Sequence, residues 1–182
     1  MSRKIIVHIA VSADGFIARP DGAVDWLDRP RQKGNYGMGA FYKSIDTILW
    51  GRKTCDMTLD FQKRGVAGSA FDTRVKNYVF THTLPAAPPP AGVEFVNRPV
   101  KGFAEELRSQ PGEDIWMMGG ADIIGSFLDA GEIDEFVMNV IPVFIGEGIP
   151  VIAPRHRAVP LNLVTSKAFE DGVVTLHYSL DR

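Results

Sequence analysis

The sequence has few of the features that place a protein outside the cell, in a membrane or on a nucleic acid. Cys55 is the only cysteine, so no internal disulfide can form, which suits a reducing cytoplasm. No apolar run approaches the roughly 20 residues of a membrane span, and the N-terminal residues lack the pattern of a signal peptide. The formal net charge is −2, and no long basic run offers a surface for nucleic acid.

The 4 histidines are scattered, without the spacing of metal ligands. We therefore expect a cytoplasmic protein that binds no nucleic acid, no membrane and no metal. Apolar residues, by contrast, are plentiful. They make up 45% of the 182 residues, which is enough to bury a core and fits one domain spanning residues 1–182.

Apolar periodicity predicts strands that alternate with helices up to about residue 130, after which strands follow one another. The predicted strands cover 5–11, 46–50, 75–80, 93–96, 114–118, 133–143, 160–168 and 172–180. The predicted helices cover 38–45, 54–59, 100–109 and a segment ending before Gly131. This order predicts an α/β fold, with a mostly parallel, helix-covered sheet of about eight strands and an antiparallel C-terminal hairpin.

Residues 13–35 contain many turn residues, yet they also carry apolar side chains that a solvated loop does not need. Phe16 and Trp26 are the largest of them. A long loop with its own hydrophobic anchors is typical of a lid or a binding loop. His8, inside the first predicted strand, is interpreted as a core histidine rather than a catalyst.

Residues 114–131 predict a strand that turns at Gly119-Gly120 and continues into a helix. Two glycines at a helix start leave backbone N–H groups and the positive end of the helix dipole open to an anion such as a phosphate. The same stretch is also compatible with a tight connection that binds nothing.

Two further predicted strands end in comparable segments, Gly51-Arg52-Lys53-Thr54 and Thr81-His82-Thr83. In an open α/β sheet, ligands collect at the carboxyl ends of the strands. Cations, hydroxyls and a glycine-lined helix start suit a ligand with both a phosphomonoester and a pyrophosphate, and NADPH is such a ligand. No GxGxxG follows the first strand, so the usual dinucleotide fingerprint is absent.

Taken in order, these segments resemble the dihydrofolate reductase-like superfamily. The resemblance is greatest to the branch that holds the reductase domain of the riboflavin-biosynthesis deaminase/reductases, the RibD C-terminal domain. It rests on the following stretches: 13–18 (Ala-Asp-Gly-Phe-Ile-Ala), Trp26, 51–54, Gly119-Gly120 with its helix, and 141–150 (Ile-Pro-Val-Phe-Ile-Gly-Glu-Gly-Ile-Pro). The resemblance implies a three-layer fold, NADPH as cofactor and a homodimer in many members.

The resemblance also implies roles for individual residues. At the phosphates of the cofactor, the 2′-phosphate would be bound by Gly51, Arg52, Lys53 and Thr54, and the pyrophosphate by Gly119, Gly120, Ala121 and Asp122. The adenosine would lie along Thr81, His82 and Thr83. The nicotinamide would be bound by Ala10, Ile17 and Ala18. The substrate pocket would be framed by Phe16, Trp26, Phe41 and Trp50, with the loop of Gly146 and Gly148 closing near the nicotinamide. The long apolar segment 133–143 leaves room for a homodimer contact.

Dihydrofolate reductases place a carboxylate a few residues after the tryptophan of this loop, and here the pattern departs. Asp28 comes early, Arg31 stands nearer the expected position, and Asp25 is the other nearby carboxylate. Asp25 and Asp28 are candidates for a general acid, and they are equally compatible with solvated loop charges or a helix cap. The expected activity is hydride transfer from NADPH to a small heterocyclic or sugar-derived substrate. A true dihydrofolate reductase and a non-catalytic NADPH-binding module are the alternatives.

Overall fold

A computed structural model describes residues 3–30, 35–65 and 71–181. The strands are β1 (Ile5–Ser12), β2 (Phe16–Ala18), β3 (Ile45–Gly51), β4 (Lys76–Phe80), β5 (Val93–Val96), β6 (Asp114–Gly119), β7 (Glu135–Ile141), β8 (Ile149–Pro150), β9 (Asn162–Ala168) and β10 (Val174–Ser179). The α-helices are α1 (Met38–Lys43), α2 (Arg52–Lys63), α3 (Val100–Ser109) and α4 (Ala121–Asp129). None of the helices in these ranges has the length and apolar character of a membrane span.

Eight of the strands form one sheet in the order β5-β4-β3-β6-β1-β7-β10-β9. The pairs from β5 to β7 are parallel, whereas β10 runs antiparallel to both β7 and β9. The hairpin between β9 and β10 turns at the predicted Glu170-Asp171-Gly172. The predicted mostly parallel sheet with an antiparallel C-terminal hairpin is therefore confirmed.

The helices cover the sheet on both faces and give it three layers. One face packs against α3 and α4, with Phe103, Phe127 and Ile124 in its core. The other face packs against α1 and α2, with Cys55 and Trp116 buried there. Because side chains alternate along a strand, His8 and Ala10 of β1 share a face, opposite to that of Val7 and Ile9.

Two features differ from the sequence prediction. α2 is a twelve-residue helix, Arg52–Lys63, rather than the predicted 54–59, so its first turn includes the cationic residues that follow β3. Residues 13–30, called the lid segment after their predicted role, also contain β2, which pairs with β8 in a small separate sheet. Trp26 lies in a short 3-10 helix, Asp25–Leu27, and packs against Ala10, Ile141 and Val173. The apolar residues of the loop are thus its anchors to the main sheet.

Candidate functional site

Three neighbouring parallel strands end at the same edge of the sheet. β3 lies between β4 and β6, and Trp50 near the end of β3 is paired with Gly119 at the end of β6. Gly51 is the last residue of β3, and Thr81 follows β4 directly. The segments that the sequence singled out after these three strands are therefore brought together.

The two glycine turns approach each other closely. A Cβ on Gly51 would lie 3.2 Å from the backbone nitrogen of Gly120 and 3.3 Å from the carbonyl oxygen of Gly119. A Cβ on Gly120 would lie 3.3 Å from Thr54 Oγ1. The peptide bond between the two glycines of this turn is cis. These contacts leave a narrow space that only glycine keeps open.

Both helices that begin at these turns have uncapped N-termini. Gly51 is the N-cap of α2 and Gly120 is the N-cap of α4, and neither helix receives a side-chain capping hydrogen bond. The first N–H groups of a helix have no partner within it, and the helix dipole makes this end favourable for negative charge. Two such ends side by side can hold the two phosphates of a pyrophosphate.

Cationic side chains surround the two turns but are paired at present. Arg52 Nε donates to Asp56 Oδ1 at 2.7 Å, and its guanidinium stands 5.3 Å from the centre of the Phe95 ring. Lys53 Nζ lies 3.4 Å from Asp122 Oδ2, with both side chains mostly exposed. Exposed ion pairs contribute little to stability, so both cations can be redirected to a ligand at small cost.

The segment after β4 is held as a tight turn. Thr81 donates its backbone N–H to Val96 O at 3.0 Å and its hydroxyl to Thr83 O at 2.9 Å. The carbonyl of His82 accepts from Asn97 Nδ2 at 3.0 Å. The side chains of His82 and Thr83 are exposed at the sheet edge. This leaves them open to a ligand that extends along the edge from α2.

The loop before β8 lies directly on β2. A Cβ on Gly148 would overlap the carbonyl oxygen of Ala18 and would lie 3.1 Å from Phe16 Cβ. On the other side of β2, Ile17 Cδ1 stands 3.9 Å from the position of a Cβ on Gly120. The predicted nicotinamide residues of β2 therefore lie between the glycine turn and this loop.

Asp14 holds this loop, a role that the sequence did not reveal, because its partners lie about 130 residues away along the chain. Its carboxylate accepts from Ser12 Oγ at 2.6 Å and from the backbone N–H groups of Ile145 at 3.0 Å and Gly146 at 2.7 Å. These donors, Ser12 first, lower the pKa of Asp14. One carboxylate thus joins the end of β1 to the loop of Gly146 and Gly148.

The four predicted pocket aromatics separate into two groups. Phe16 lies at the Gly148 contact, Trp26 packs on Ala10, and Phe41 of α1 lies against His8 with ring centres 4.4 Å apart. Trp50 is 6% exposed, donates its indole N–H to Asn77 Oδ1 at 3.1 Å and packs on Phe71. Trp50 is therefore buried between β3 and its neighbours in this structure, and its place in the substrate pocket stays a prediction.

The two candidate acids lie on the surface. Asp25 accepts from Arg19 at 2.6 and 3.0 Å, and this pairing lowers its pKa. Asp28 is exposed at the end of the same 3-10 helix. The placement favours the interpretation of both as loop charges, and a role of either one as a general acid stays a prediction. Arg31 lies outside the described residues.

His8 is buried, as expected of a core histidine, but its surroundings are polar. It is 3% exposed, and Nε2 lies 3.2 Å from Asn139 Nδ2 on β7. The sequence analysis did not single out Asn139, which contacts both His8 and Thr175. A signal was available, since Asn139 and His8 are polar residues inside two otherwise apolar strands. Elsewhere in the described ranges, no group of three or more His, Cys, Asp or Glu side chains is placed to hold a metal ion.

Known proteins resemble the chain in both sequence and structure. The uncharacterized protein YwjB of Bacillus subtilis is 37% identical over 179 residues, which is 98% of each chain. A putative riboflavin biosynthesis protein from Shewanella sp. PV-4 superposes with a TM-score of 0.84 at 25% identity, over 100% of each chain. Dihydrofolate reductase from Enterococcus faecalis, in a structure with NADP(H), superposes with a TM-score of 0.65 at 15% identity, again over 100% of each.

The last likeness concerns the fold alone, and it identifies the three-layer architecture as dihydrofolate reductase-like. The family model described as the RibD C-terminal domain matches residues 3–175, nearly the whole chain. Its match covers β1, the lid segment, the three strand ends and the loop before β8. The chain belongs to the RibD C-terminal domain family.

Proposed function

We propose that the protein is an NADPH-dependent reductase that transfers hydride to a small heterocyclic or sugar-derived substrate, of which a pyrimidine or a pterin is the first candidate. One observation carries the proposal. The ends of β3, β4 and β6 lie side by side and present a glycine cradle, two cations and several hydroxyls at one edge.

The residues at this edge fit the phosphate groups of NADPH. The cradle formed by Gly51 and Gly120 would accept the pyrophosphate between two uncapped helix ends, with Ala121 and Asp122 beginning the second helix. Arg52 would bind the 2′-phosphate with paired hydrogen bonds after leaving Asp56. Lys53 and Thr54 would add a charge and a hydroxyl on the same side.

The residues next to the cradle would bind the rest of the cofactor. Thr81, His82 and Thr83 would lie along the adenosine. The backbone of Ala10, Ile17 and Ala18 would orient the nicotinamide ring, and the loop that Asp14 holds on β2 would exclude water from it. When bound, the cofactor supplies the hydride, and the protein supplies position and a dry site.

The relatives support the choice of cofactor and ring. A dihydrofolate reductase with this fold carries NADP(H), and the Shewanella protein is a putative riboflavin biosynthesis protein. The exposed positions of Asp25 and Asp28 count against a true dihydrofolate reductase, since that activity needs a carboxylate at the ring. Because neither carboxylate is placed at the ring, a non-catalytic NADPH-binding module is the second candidate function. A cytoplasmic location stays a prediction from the single cysteine.

The first test is a fluorescence titration with NADPH and, separately, NADH. Arg52→Ala should weaken NADPH binding by about 1.5–3 kcal/mol, the range for hydrogen bonds to charged groups, and should leave NADH binding nearly unchanged. Arg64→Ala is the matched control, because Arg64 pairs with Asp60 at the other end of the same helix. No binding of either nucleotide refutes the reductase. Binding without oxidation of NADPH by any pyrimidine or pterin favours the non-catalytic module.

We also propose that the chain forms a homodimer, with β9 in the contact. β7 is paired on both sides, so its edges are not available for the contact suggested by the sequence. β9, in contrast, is an edge strand in which all seven residues are exposed, and Leu163 and Val164 are 58% and 50% exposed. An apolar edge of this kind is typical of an association surface. Sedimentation of Leu163→Lys should show a monomer where the wild type shows a dimer. A wild-type monomer refutes the proposal.

A further inference from the structure

A small polar cavity lies between α3 and the two strands β4 and β5. Its volume is about 160 Å³. Tyr78 of β4 and Glu94 of β5 line it, and they are paired neighbours in the register of the two strands. Paired neighbours point to the same face of a sheet, so both side chains lie on the face that α3 covers. The residues that line the cavity include none of those proposed to bind the cofactor or the substrate.

The floor of the cavity is apolar. Phe103 and Leu107 of α3 form it, and they are 3% and 2% exposed. The ring of Tyr78 packs edge-on against Phe103 with ring centres 5.0 Å apart, and the guanidinium of Arg98 stands 4.8 Å from the centre of the same ring. Such a floor favours an occupant with an alkyl part over a fully hydrated ion.

The polar groups around this floor differ in whether they are paired. Arg98 Nη1 donates to Glu106 Oε2 at 2.6 Å, so these two charges neutralise each other. Within the described part of the chain, the carboxylate of Glu94, the hydroxyl of Tyr78 and the side-chain amide of Gln110 have no hydrogen-bond partner. Tyr78 and Gln110 are half-buried, and half-buried polar groups generally find a partner in the protein, in water or in a ligand.

The three unpaired groups can all accept a hydrogen bond. A carboxylate only accepts, and a phenol and an amide oxygen each offer lone pairs. Burial, and next the nearby Glu94 carboxylate, raise the pKa of Tyr78, so its hydroxyl stays neutral at pH 7. Since Glu106 is neutralised by Arg98, the charge of Glu94 remains uncompensated. A primary ammonium group matches this arrangement, because it carries one positive charge and three N–H donors.

We propose that this cavity binds a small primary alkylamine, whose ammonium group donates to Glu94, Tyr78 and Gln110 while its alkyl chain lies on the apolar floor. The size of the cavity sets the size of the amine. One water molecule takes about 30 Å³ of liquid, so the cavity has room for about five non-hydrogen atoms. A carboxylate ligand is disfavoured, because it would meet the charge of Glu94 and would have to displace Glu106 from Arg98.

The first test is an NMR titration of the ¹⁵N-labelled full chain at pH 7 and constant ionic strength. The probe is n-butylammonium chloride, and it should give saturable shifts of the amides of Tyr78, Glu94 and Gln110. Two molecules with the same number of non-hydrogen atoms are the comparisons: n-butanol, which lacks the charge, and tetramethylammonium, which lacks N–H donors. Each should bind at least about tenfold more weakly than n-butylammonium.

Three variants assign the binding to the cavity. Glu94→Gln should weaken n-butylammonium binding by about tenfold or more, and Tyr78→Phe by about three- to tenfold. Glu105→Gln is the matched control and should change it by less than about twofold, because Glu105 is exposed on α3 and does not line the cavity. No saturable shifts in the wild type, equal binding of the three probes, or equal effects of Glu94→Gln and Glu105→Gln would each overturn the proposal and leave a cavity that holds water.

Discussion

The contact between Gly148 and β2 offers a direct test of how the loop before β8 is held. A Cβ on Gly148 would overlap the carbonyl oxygen of Ala18 by roughly an ångström relative to ordinary van der Waals contact. The backbone of Gly148 itself is not in the left-handed region, so Gly148→Ala adds a steric conflict and little else. Because the obstacle is backbone, no side-chain rotation relieves it.

The size of the destabilisation by Gly148→Ala depends on which part of the structure shifts to make room for the Cβ. β2 and β8 share only two paired positions, Phe16 with Pro150 and Ala18 with Ile149, so the strain separates these strands before it disturbs the main sheet. Forcing an extra carbon into a packed site costs about 1–3 kcal/mol. For a protein of this size, 1 kcal/mol corresponds to about 2–4 °C in Tm, so Gly148→Ala should lower Tm by about 2–12 °C.

Calorimetry measures the Tm, and hydrogen exchange locates the change. The amides of β2 should exchange faster in Gly148→Ala, while those of β1 and β6 keep their protection. Gly102→Ala is the control, because a Cβ at Gly102 meets nothing within 4 Å and should stabilise α3 by about 0.5–1 kcal/mol. An unchanged Tm with unchanged exchange in β2 would show that the loop does not rest on Ala18.

Three other predictions concern single residues. Asp56→Asn removes the present partner of Arg52 and should tighten NADPH binding about two- to fivefold in a titration, whereas weaker binding would show that Asp56 orients the guanidinium. Burial and, to a smaller extent, His177 depress the pKa of His8 to about 4, below the unfolded value, so stability should fall as pH drops from about 6.5 toward 4. In urea, the free energy of unfolding of the wild type should fall by about 2 kcal/mol between pH 7.5 and 5, and His8→Phe should not show this fall. An equal fall in both proteins would show that the pKa of His8 is not lowered. Burial raises the pKa of Cys55 to about 11, so a thiol reagent should label it only in denaturant, and labelling of the native protein would refute its burial.

The alternation of strands and helices, and the meeting of three strand ends at one edge of the sheet, could be predicted from the sequence because both depend on local patterns. Apolar runs that end in Gly51 or in Gly119-Gly120 mark strand-to-helix turns, and parallel strands must end at one edge. The pairing of β2 with β8 could not be predicted, because strands of two or three residues form only where tertiary packing brings them together.

The roles of individual side chains were harder to predict than the positions of the helices and strands. Trp50 ends a predicted strand and Trp26 lies in a predicted loop, yet both side chains are buried, and no sequence pattern shows what surrounds each of them. Asp25 and Asp28 are both exposed, which the sequence could not indicate, and their role as acids stays a prediction. Asn139 matters through its contacts with two other strands, which no single stretch of sequence displays.

The hydrogen bonds of Asp14 have a kinetic consequence. This one carboxylate joins the end of β1 to the loop before β8, so we expect residues 12–16 and the loop before β8 to be ordered together. The conformational entropy of ordering them is lost when the chain folds, not when a nucleotide arrives. If NADPH binds as proposed, its association should be a single concentration-dependent step at the rate of encounter, with no slower closing phase after it.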